Sequence, residues 1–504
     1  MWRGCPKSPQ AEGISIVCVE FVIILAFVLE RCKLKIFRDR PSPADQLMLL
    51  PPSVNDFVLP NDPVRVFAEI LDSMDHGMVI SKYSGGGRPA YDPVMMLKVL
   101  IFGYCEGIQS SRHLDRTLGR DVRFMYLSEM SRPDFRTISR FRRDNGDAIR
   151  KAFEETVRIS QEMGLALLEH VSVDGTKLGA NVSGRHTYRM ERLEKALESA
   201  DRRISEILDE AERVDSEEDA RLGDKRGDEL PSKLAKAENR KALLEKAKQF
   251  CEQTGQDKAC ATDLDSRVMK TTSGNRPAYN AQAVVDKEHQ IIVAADVVQD
   301  ESDNHQLSPM VELTQKVTGR KPKVVTVDCG YNSKETLEYA ESNTLNVYMP
   351  VSDPDKNKHG FEYDRVSDEY TCPCGQKLKY SRTRQKETLA YRIYRHSCAT
   401  CRKRTECCGE RSRVKELWRR VDGELHEKMF KKMRTDEAKE IYRYRKQIVE
   451  PVFGNIKENQ GLRRLLLRGL NGAKTEYTLS CIAHNIGKIR RFGQFGPQEA
   501  LMAA

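Results

Sequence analysis

Long hydrophobic runs are nearly missing from this 504-residue chain. The one candidate, residues 14–29 (ISIVCVEFVIILAFVL), is 16 residues long and carries Glu20. A membrane-crossing helix needs about 20 mainly apolar residues, so the run is short and polar for that role. The stretch after it, ERCKLKIF, lacks the small-residue cleavage site of a secretion signal. Residues 1–35 are therefore expected to lie outside the folded protein, as an extension read from upstream of the true start; a membrane anchor is the competing reading. Charge of one sign does not dominate either. With 84 Lys+Arg against 75 Asp+Glu the net charge is +9, which permits a polyanionic partner without requiring one, so local clustering matters more than the total. No short-period internal repeat is visible, which argues against a solenoid. Fourteen cysteines are too thinly spread for a disulfide scaffold, yet six fall between Cys372 and Cys408. Such a cluster reads as a metal site in a reducing, cytoplasmic compartment.

What is present divides the chain. Residues 36–165 read as an all-α N-terminal domain. A helix is predicted from Val64 after the start signal at residues 61–63, and a buried one over VMMLKVLIFGYCEG after the turn GGGRPAYDP. The last of several short helices starts at Pro133 and Asp134 and carries Arg136, Arg140, Arg142 and Arg143, with Phe135, Ile138 and Phe141 toward the core. Short helices ending in an arginine-rich one fit a helix-turn-helix DNA reader; an ordinary helical domain with a charged surface is the plainer reading. From residue 166 to 492 strand-like sequence alternates with helices. A heptad seam at Leu193, Leu197, Ala200, Ile204, Ile207, Ala211 and Val214 marks residues 186–265 as an inserted helical hairpin. Residues 353–435 form a second insertion, basic and cysteine-rich, and residues 493–504 a tail. SDNHQLSPMVELTQKVTG reads as a helix capped by Ser302 and Asp303, and Ser333 is expected to cap the next one.

Carboxylates stand out by position. Asp174 lies within the strand HVSVDGTKLGANVS and Asp328 at the end of VVTV. Glu450 lies on a helix expected to run from 437 to 460, where Arg443, Glu450 and Lys457 recur every seven residues and would share one face, flanked by Lys446 and Phe453. A solvated, ion-paired helix is the plain reading of that face. The order strand, hairpin, helix, strand, helix, strand, helix would instead place all three acids at one edge of a mixed sheet. Hard oxygen ligands there suit Mg²⁺ or Mn²⁺, and two such ions could drive an in-line phosphodiester displacement.

The motifs PPSVNDFVLPND, GRPAYDPVMMLKVLIFGY, RPDFRTISRFRR, VSVDGTKLGAN, PAYNAQAVVD, VVTVDCGYNSKETL and IVEPVFGNIKENQGLRRLLLRGL occur in this order. Over residues 37–492 the chain resembles the bacterial insertion-sequence transposases that carry a DDE triad on an RNase H-like fold. The resemblance implies an α/β, RNase H-like mixed sheet split by the two insertions. It makes Asp174, Asp328 and Glu450 the metal-binding triad, with two Mg²⁺ (or Mn²⁺) ions, and Lys457 a contact to transposon-end DNA. Part of that group has a tyrosine seven residues before the glutamate and an arginine four before it. Here Arg443 and Lys446 hold those places, with Tyr442 or Tyr444 nearby to replace the aromatic. The implied activity is strand cleavage and transfer at inverted-repeat ends. Double-stranded DNA is the implied partner, in a nucleoid-associated complex of at least two copies, with no membrane partner. A nuclease of the same fold without strand transfer, and a non-catalytic DNA-binding repressor copy, remain the rivals. For the cysteines, a structural Zn²⁺ on Cys372, Cys374, Cys398 and Cys401 stands against cysteines packed or idle in a loop insertion.

Overall fold

The computed structural model describes residues 53–83, 90–219, 229–271, 273–354, 358, 360–386, 389–408 and 411–493. The apolar run at 14–29, the extension 1–35 and residues 494–504 lie outside them. The chain divides after Asp56 into two compact units, the second of which begins at Phe57. No helix among the described residues is long and apolar enough to cross a membrane.

The unit opens with short helices: α1 (Pro63–Asp72), α2 (Pro93–Cys105), α3 (Ser111–Leu118), α4 (Val122–Leu127), α5 (Phe135–Asp144) and α6 (Gly146–Glu162). The carboxylates of Asp62, Asp92, Asp121 and Asp134 cap α1, α2, α4 and α5 by accepting first-turn N–H groups. Helix α2 is apolar on every side and accordingly buried along most of its length.

The main sheet is mixed. Strand β1 (His170–Gly179) is followed by β2 (Thr187–Arg189), the helical hairpin α7 (Met190–Asp219) and α8 (Glu229–Thr254), and β3 (Lys258–Cys260), which pairs with β2 at the hairpin's base. Leu193, Ala200, Leu244, Ala247 and Cys251 form the seam between the hairpin helices. The seam positions Ala211 and Val214 fall where side chains are not described. Then come β4 (Arg267–Thr271), β5 (Gly274–Asp286), β6 (Ile292–Val298), α9 (Leu307–Thr318), β7 (Val324–Thr326), α10 (Lys334–Ser342) and β8 (Asn346–Tyr348). The strand order is β4-β5-β1-β7-β8, with β6 also on β5. The β1–β5 and β5–β6 pairs are antiparallel, the β1–β7 and β7–β8 pairs parallel.

The cysteine-rich segment folds as a separate antiparallel sheet, β9 (Glu362–Asp364), β10 (Glu369–Thr371), β11 (Lys377–Lys386), β12 (Leu389–Ser397) and β13 (Val414–Arg420), around Tyr370, Leu378, Tyr394 and Leu417. Among the described residues the last helices are α11 (Gly423–Met433), α12 (Asp436–Tyr442), α13 (Arg445–Gly454) and α14 (Gly469–Phe492). Helix α14 packs on α2, α6 and β6, so residues from the first and last helices and the sheet share one continuous core.

That packing corrects one assignment. Arg142 is 3% exposed and cannot reach DNA. Its Nη1 lies 3.2 Å from Glu476 Oε1 on α14 and donates to Tyr104 Oη and the Gln109 carbonyl. Arg142 is four residues past Ile138, on the buried stripe of α5, where an arginine needs an internal anion. Arg136, Arg140 and Arg143 are exposed.

A second correction concerns the expected single helix over 437–460. It is three segments: α12, α13 after a break at Arg443 and Tyr444, and a π-helical turn over Asn455–Asn459. Pro451 inside α13 has no N–H for the Gln447 carbonyl, which instead accepts from Gln290 Nε2 at 2.8 Å. The break and the π turn shift the helical register, so Arg443, Glu450 and Lys457 do not form the continuous face that seven-residue spacing implies.

Candidate active site at the strand ends

Two parallel strands set the site. The last paired couple of β1 and β7 is Ser172 with Thr326. Asp174 and Asp328 each lie two residues further on, so the register brings both carboxylates to one level at the C-terminal end of β7, the side of a parallel sheet where ligands bind. Asp174 continues in the β1–β5 ladder opposite Ala283, whereas Asp328 caps a turn of 3₁₀ helix over Cys329–Tyr331.

The carboxylates are held alike. Asp174 Oδ1 accepts from Gly175 N at 2.9 Å, and Asp328 Oδ1 from Gly330 N at 2.7 Å. Their other oxygens face Arg445, whose Nη2 is 3.0 Å from Asp174 Oδ2 and 3.7 Å from Asp328 Oδ2. Burial pushes the Asp174 carboxyl up to about 6, with Arg445 opposing the shift and Asp328 and Asp303 adding to it. Tyr442 sits in the same field: burial, with help from Asp328, Cys329 and Asp174, pushes its phenol up to about 12 against Arg445. Burial lowers the ammonium pKa of half-buried Lys457, Arg463 adds to this, and the charges of Glu458 and Asp174 resist it.

Behind Asp174 lies a polar network. Asp303 Oδ1 accepts from Asn280 Nδ2 at 2.6 Å, Gln282 Nε2 at 2.7 Å and Lys177 Nζ at 3.4 Å, and the buried Tyr331 hydroxyl donates to Gln282 Oε1. Asp303 therefore does not cap α9, which starts at Leu307 after Gln306 with no side-chain cap. Three competing donors from the sheet hold it instead. Ser333 does cap α10, accepting from Thr336 N at 3.1 Å. Gly175 leaves room for this network: a Cβ there would collide with Gln282 Nε2 and lie 2.7 Å from Asp303 Oδ1, so both side chains would have to shift.

The structure thus brings together Asp174, Asp328, Arg445 and Tyr442, with Lys457 close enough to feel Asp174. Glu450 is on α13 but its side chain is exposed, about 140° around the helix from Arg445. Among the described residues no three His, Cys, Asp or Glu side chains are gathered as a metal cage. Arg443 and Lys446 are exposed; Arg443 Nη2 donates to Tyr444 Oη at 2.6 Å. Tyr444 turns toward Lys287, so Tyr442 is the tyrosine at the site. Sequence reasoning missed Arg445 and Asp303. Arg445 was signalled: Ile448, Val449 and Val452 follow it at helical spacings and are all buried, which places it on the inward stripe. Asp303 carried no such signal.

In the cysteine-rich sheet, Cys372 Sγ accepts from Cys374 N at 3.4 Å and Gln376 N at 3.3 Å, and Cys401 Sγ lies 3.7 Å from Cys374 Sγ. The Cys398 thiol neighbours those of Cys408 and Cys401. Arg420, at the end of β13, donates to Asn332 Oδ1 at 2.8 Å and ties this sheet to the turn after Asp328.

Fold and site define an α/β protein with a carboxylate pair at its strand ends, facing Arg445 at the start of α13. Two family models then match the chain: a transposase domain (DUF772) over residues 52–144 and a transposase DDE domain over residues 371–490. The second spans Glu450, Lys457 and most of the cysteine-rich sheet, and Asp174 and Asp328 precede it. Together the two matches indicate an insertion-sequence DDE transposase. No curated protein and no solved structure matches the chain.

Proposed function

We propose that the protein cuts and rejoins DNA strands at the inverted-repeat ends of an insertion sequence, using Asp174 and Asp328, with Glu450 as the third carboxylate. The observation that carries this is the level pairing of Asp174 and Asp328 at the ends of adjacent parallel strands. The strand order β6-β5-β1-β7-β8 supports an RNase H-like reading of the sheet. The donor set fits hard divalent cations: two carboxylates, each with one oxygen held by a backbone N–H and the other turned toward Arg445. Glu450 would join from α13, the helix that packs on β1. Bound Mg²⁺ or Mn²⁺, two ions, would activate a water or 3′-hydroxyl and stabilise the leaving oxygen.

The chain's own part is to position and neutralise. Lys457, Lys446 and Arg443 would hold the DNA backbone beside the cut, and Arg136, Arg140 and Arg143 on α5 would grip the duplex further away. Two transposon ends must be held at once, so the active complex would contain at least two copies on DNA in the nucleoid. For the cysteine-rich sheet the proposal is a structural Zn²⁺ on Cys372, Cys374, Cys398 and Cys401. The 3.7 Å spacing of Cys374 and Cys401 supports it for that pair, being close to the edge of a zinc–thiolate tetrahedron with Zn–S bonds of about 2.3 Å; the four sulfurs are not gathered as one cage among the described residues.

Incubating a labelled inverted-repeat end with target plasmid and Mg²⁺ tests the function, with wild type beside Glu450→Ala. Joining of the 3′-end to the plasmid by wild type alone is the expected result. Cleavage without joining would make the protein a nuclease, and binding with neither would make it a repressor copy.

A further inference from the structure

Arg445 is the least expected member of the site. Its side chain is only 11% exposed, and Nε is buried with no hydrogen-bond partner. Its Nη2 is the group that faces the free oxygens of both Asp174 and Asp328. The other cations nearby are otherwise placed: Lys177 reaches Asp303, and Lys457 feels Asp174 only through space.

We propose that Arg445 is a built-in counter-ion that holds the two aspartates together in the cation-free protein and is displaced when a divalent cation binds them. This rests on the metal-binding reading of Asp174 and Asp328 given above. Two like charges at one level repel, and without a cation between them the strand ends would be strained apart. A guanidinium reaching both oxygens relieves that repulsion with one positive charge. A divalent cation needs those same oxygens as direct ligands, and a guanidinium left against them would face its two positive charges at close range. The two cations therefore compete, and the arginine sets how tightly the site takes metal. Its seat is built for leaving. Nε gains nothing there, and Arg445 is the first residue of α13, immediately after the break at Arg443 and Tyr444. Arg445 is thus a positioning residue that acts through the aspartates.

The test uses the full chain, wild type beside Arg445→Gln and Arg445→Lys, with Mn²⁺ as the probe. Mn²⁺ affinity is read by calorimetry, and thermal unfolding is followed with EDTA and with Mn²⁺. Removing a charge-assisted contact that competes with the ion should tighten Mn²⁺ binding by about tenfold in Arg445→Gln. The same variant should unfold at a lower temperature in EDTA and show a larger Mn²⁺-induced rise than wild type. Arg445→Lys, whose single ammonium cannot span both oxygens, should lie between; it supplies the reading if the Gln variant does not fold. Equal or weaker Mn²⁺ binding in the variants, or an equal thermal rise, would overturn the counter-ion role and leave the metal assignment standing. No Mn²⁺ binding by any of the three proteins would overturn the metal assignment, and the counter-ion with it.

Discussion

Removing the carboxylate of Glu476 should be among the most damaging single changes in this protein. Its side chain is 0% exposed and its oxygens are fully used. Oε1 faces Arg142 Nη1 and accepts from Tyr104 Oη, both at 3.2 Å, while Oε2 accepts from Leu466 N at 2.6 Å and Leu467 N at 3.0 Å. Glu476→Ala strands a buried guanidinium and leaves two backbone N–H groups without an acceptor. Breaking a buried pair from one side costs about 3–5 kcal/mol. Arg142→Met should cost less, because Glu476 then keeps the hydroxyl and both N–H donors. Equilibrium urea denaturation followed by far-ultraviolet circular dichroism measures the difference. A loss below about 1 kcal/mol for Glu476→Ala, the range of an exposed ion pair, would refute the reasoning. So would a larger loss for Arg142→Met than for Glu476→Ala.

Other expectations follow from the site. The folded Asp174 carboxyl sits at about 6 against 3.8 for an ordinary one, so the folded state holds that proton more tightly. In EDTA its contribution is complete below pH 4 and is lost as pH rises through 6, on the order of 3 kcal/mol in all; Asp174→Asn should flatten that fall in urea titrations at successive pH values. An unchanged slope would count against the burial of Asp174. Gly175→Ala should cost about 1–3 kcal/mol by crowding Gln282 and Asp303, and should disturb Mn²⁺ binding as well; a fully stable variant with unchanged Mn²⁺ affinity would contradict the packing. Elemental analysis should find about one zinc per chain in wild type and none in Cys374→Ser/Cys401→Ser, and wild type free of zinc would remove that proposal.

Local signals were legible in the sequence, and long-range ones were not. The alternation around Asp174 marks its strand, the all-round apolar character of α2 marks a buried helix, and Ser333 announces its cap because a cap is decided within four residues. The helix around Glu450 misleads, since seven-residue spacing defines a face only while the 3.6-residue register runs unbroken. The break at Arg443 and Tyr444 and the π turn each interrupt it. Arg142 and Arg445 look like surface arginines by type; their places on the apolar stripes of α5 and α13 were visible, but the carboxylates they face, Glu476 for one and Asp174 and Asp328 for the other, are far away in the chain. Asp303 resembles a cap by local chemistry, and only the fold reveals three stronger donors converging on it.

The contact between Tyr104 and Glu476 spans 372 residues of chain. At about 5–20 residues per second of synthesis, roughly 20 to 70 seconds separate the appearance of the first partner from the second. Throughout that interval α2 and α6 have no α14 to cover them, and Arg142 has no anion. The nascent chain therefore waits on the ribosome with its apolar helices uncovered, and the earliest helices to be made are among the last to gain their full packing.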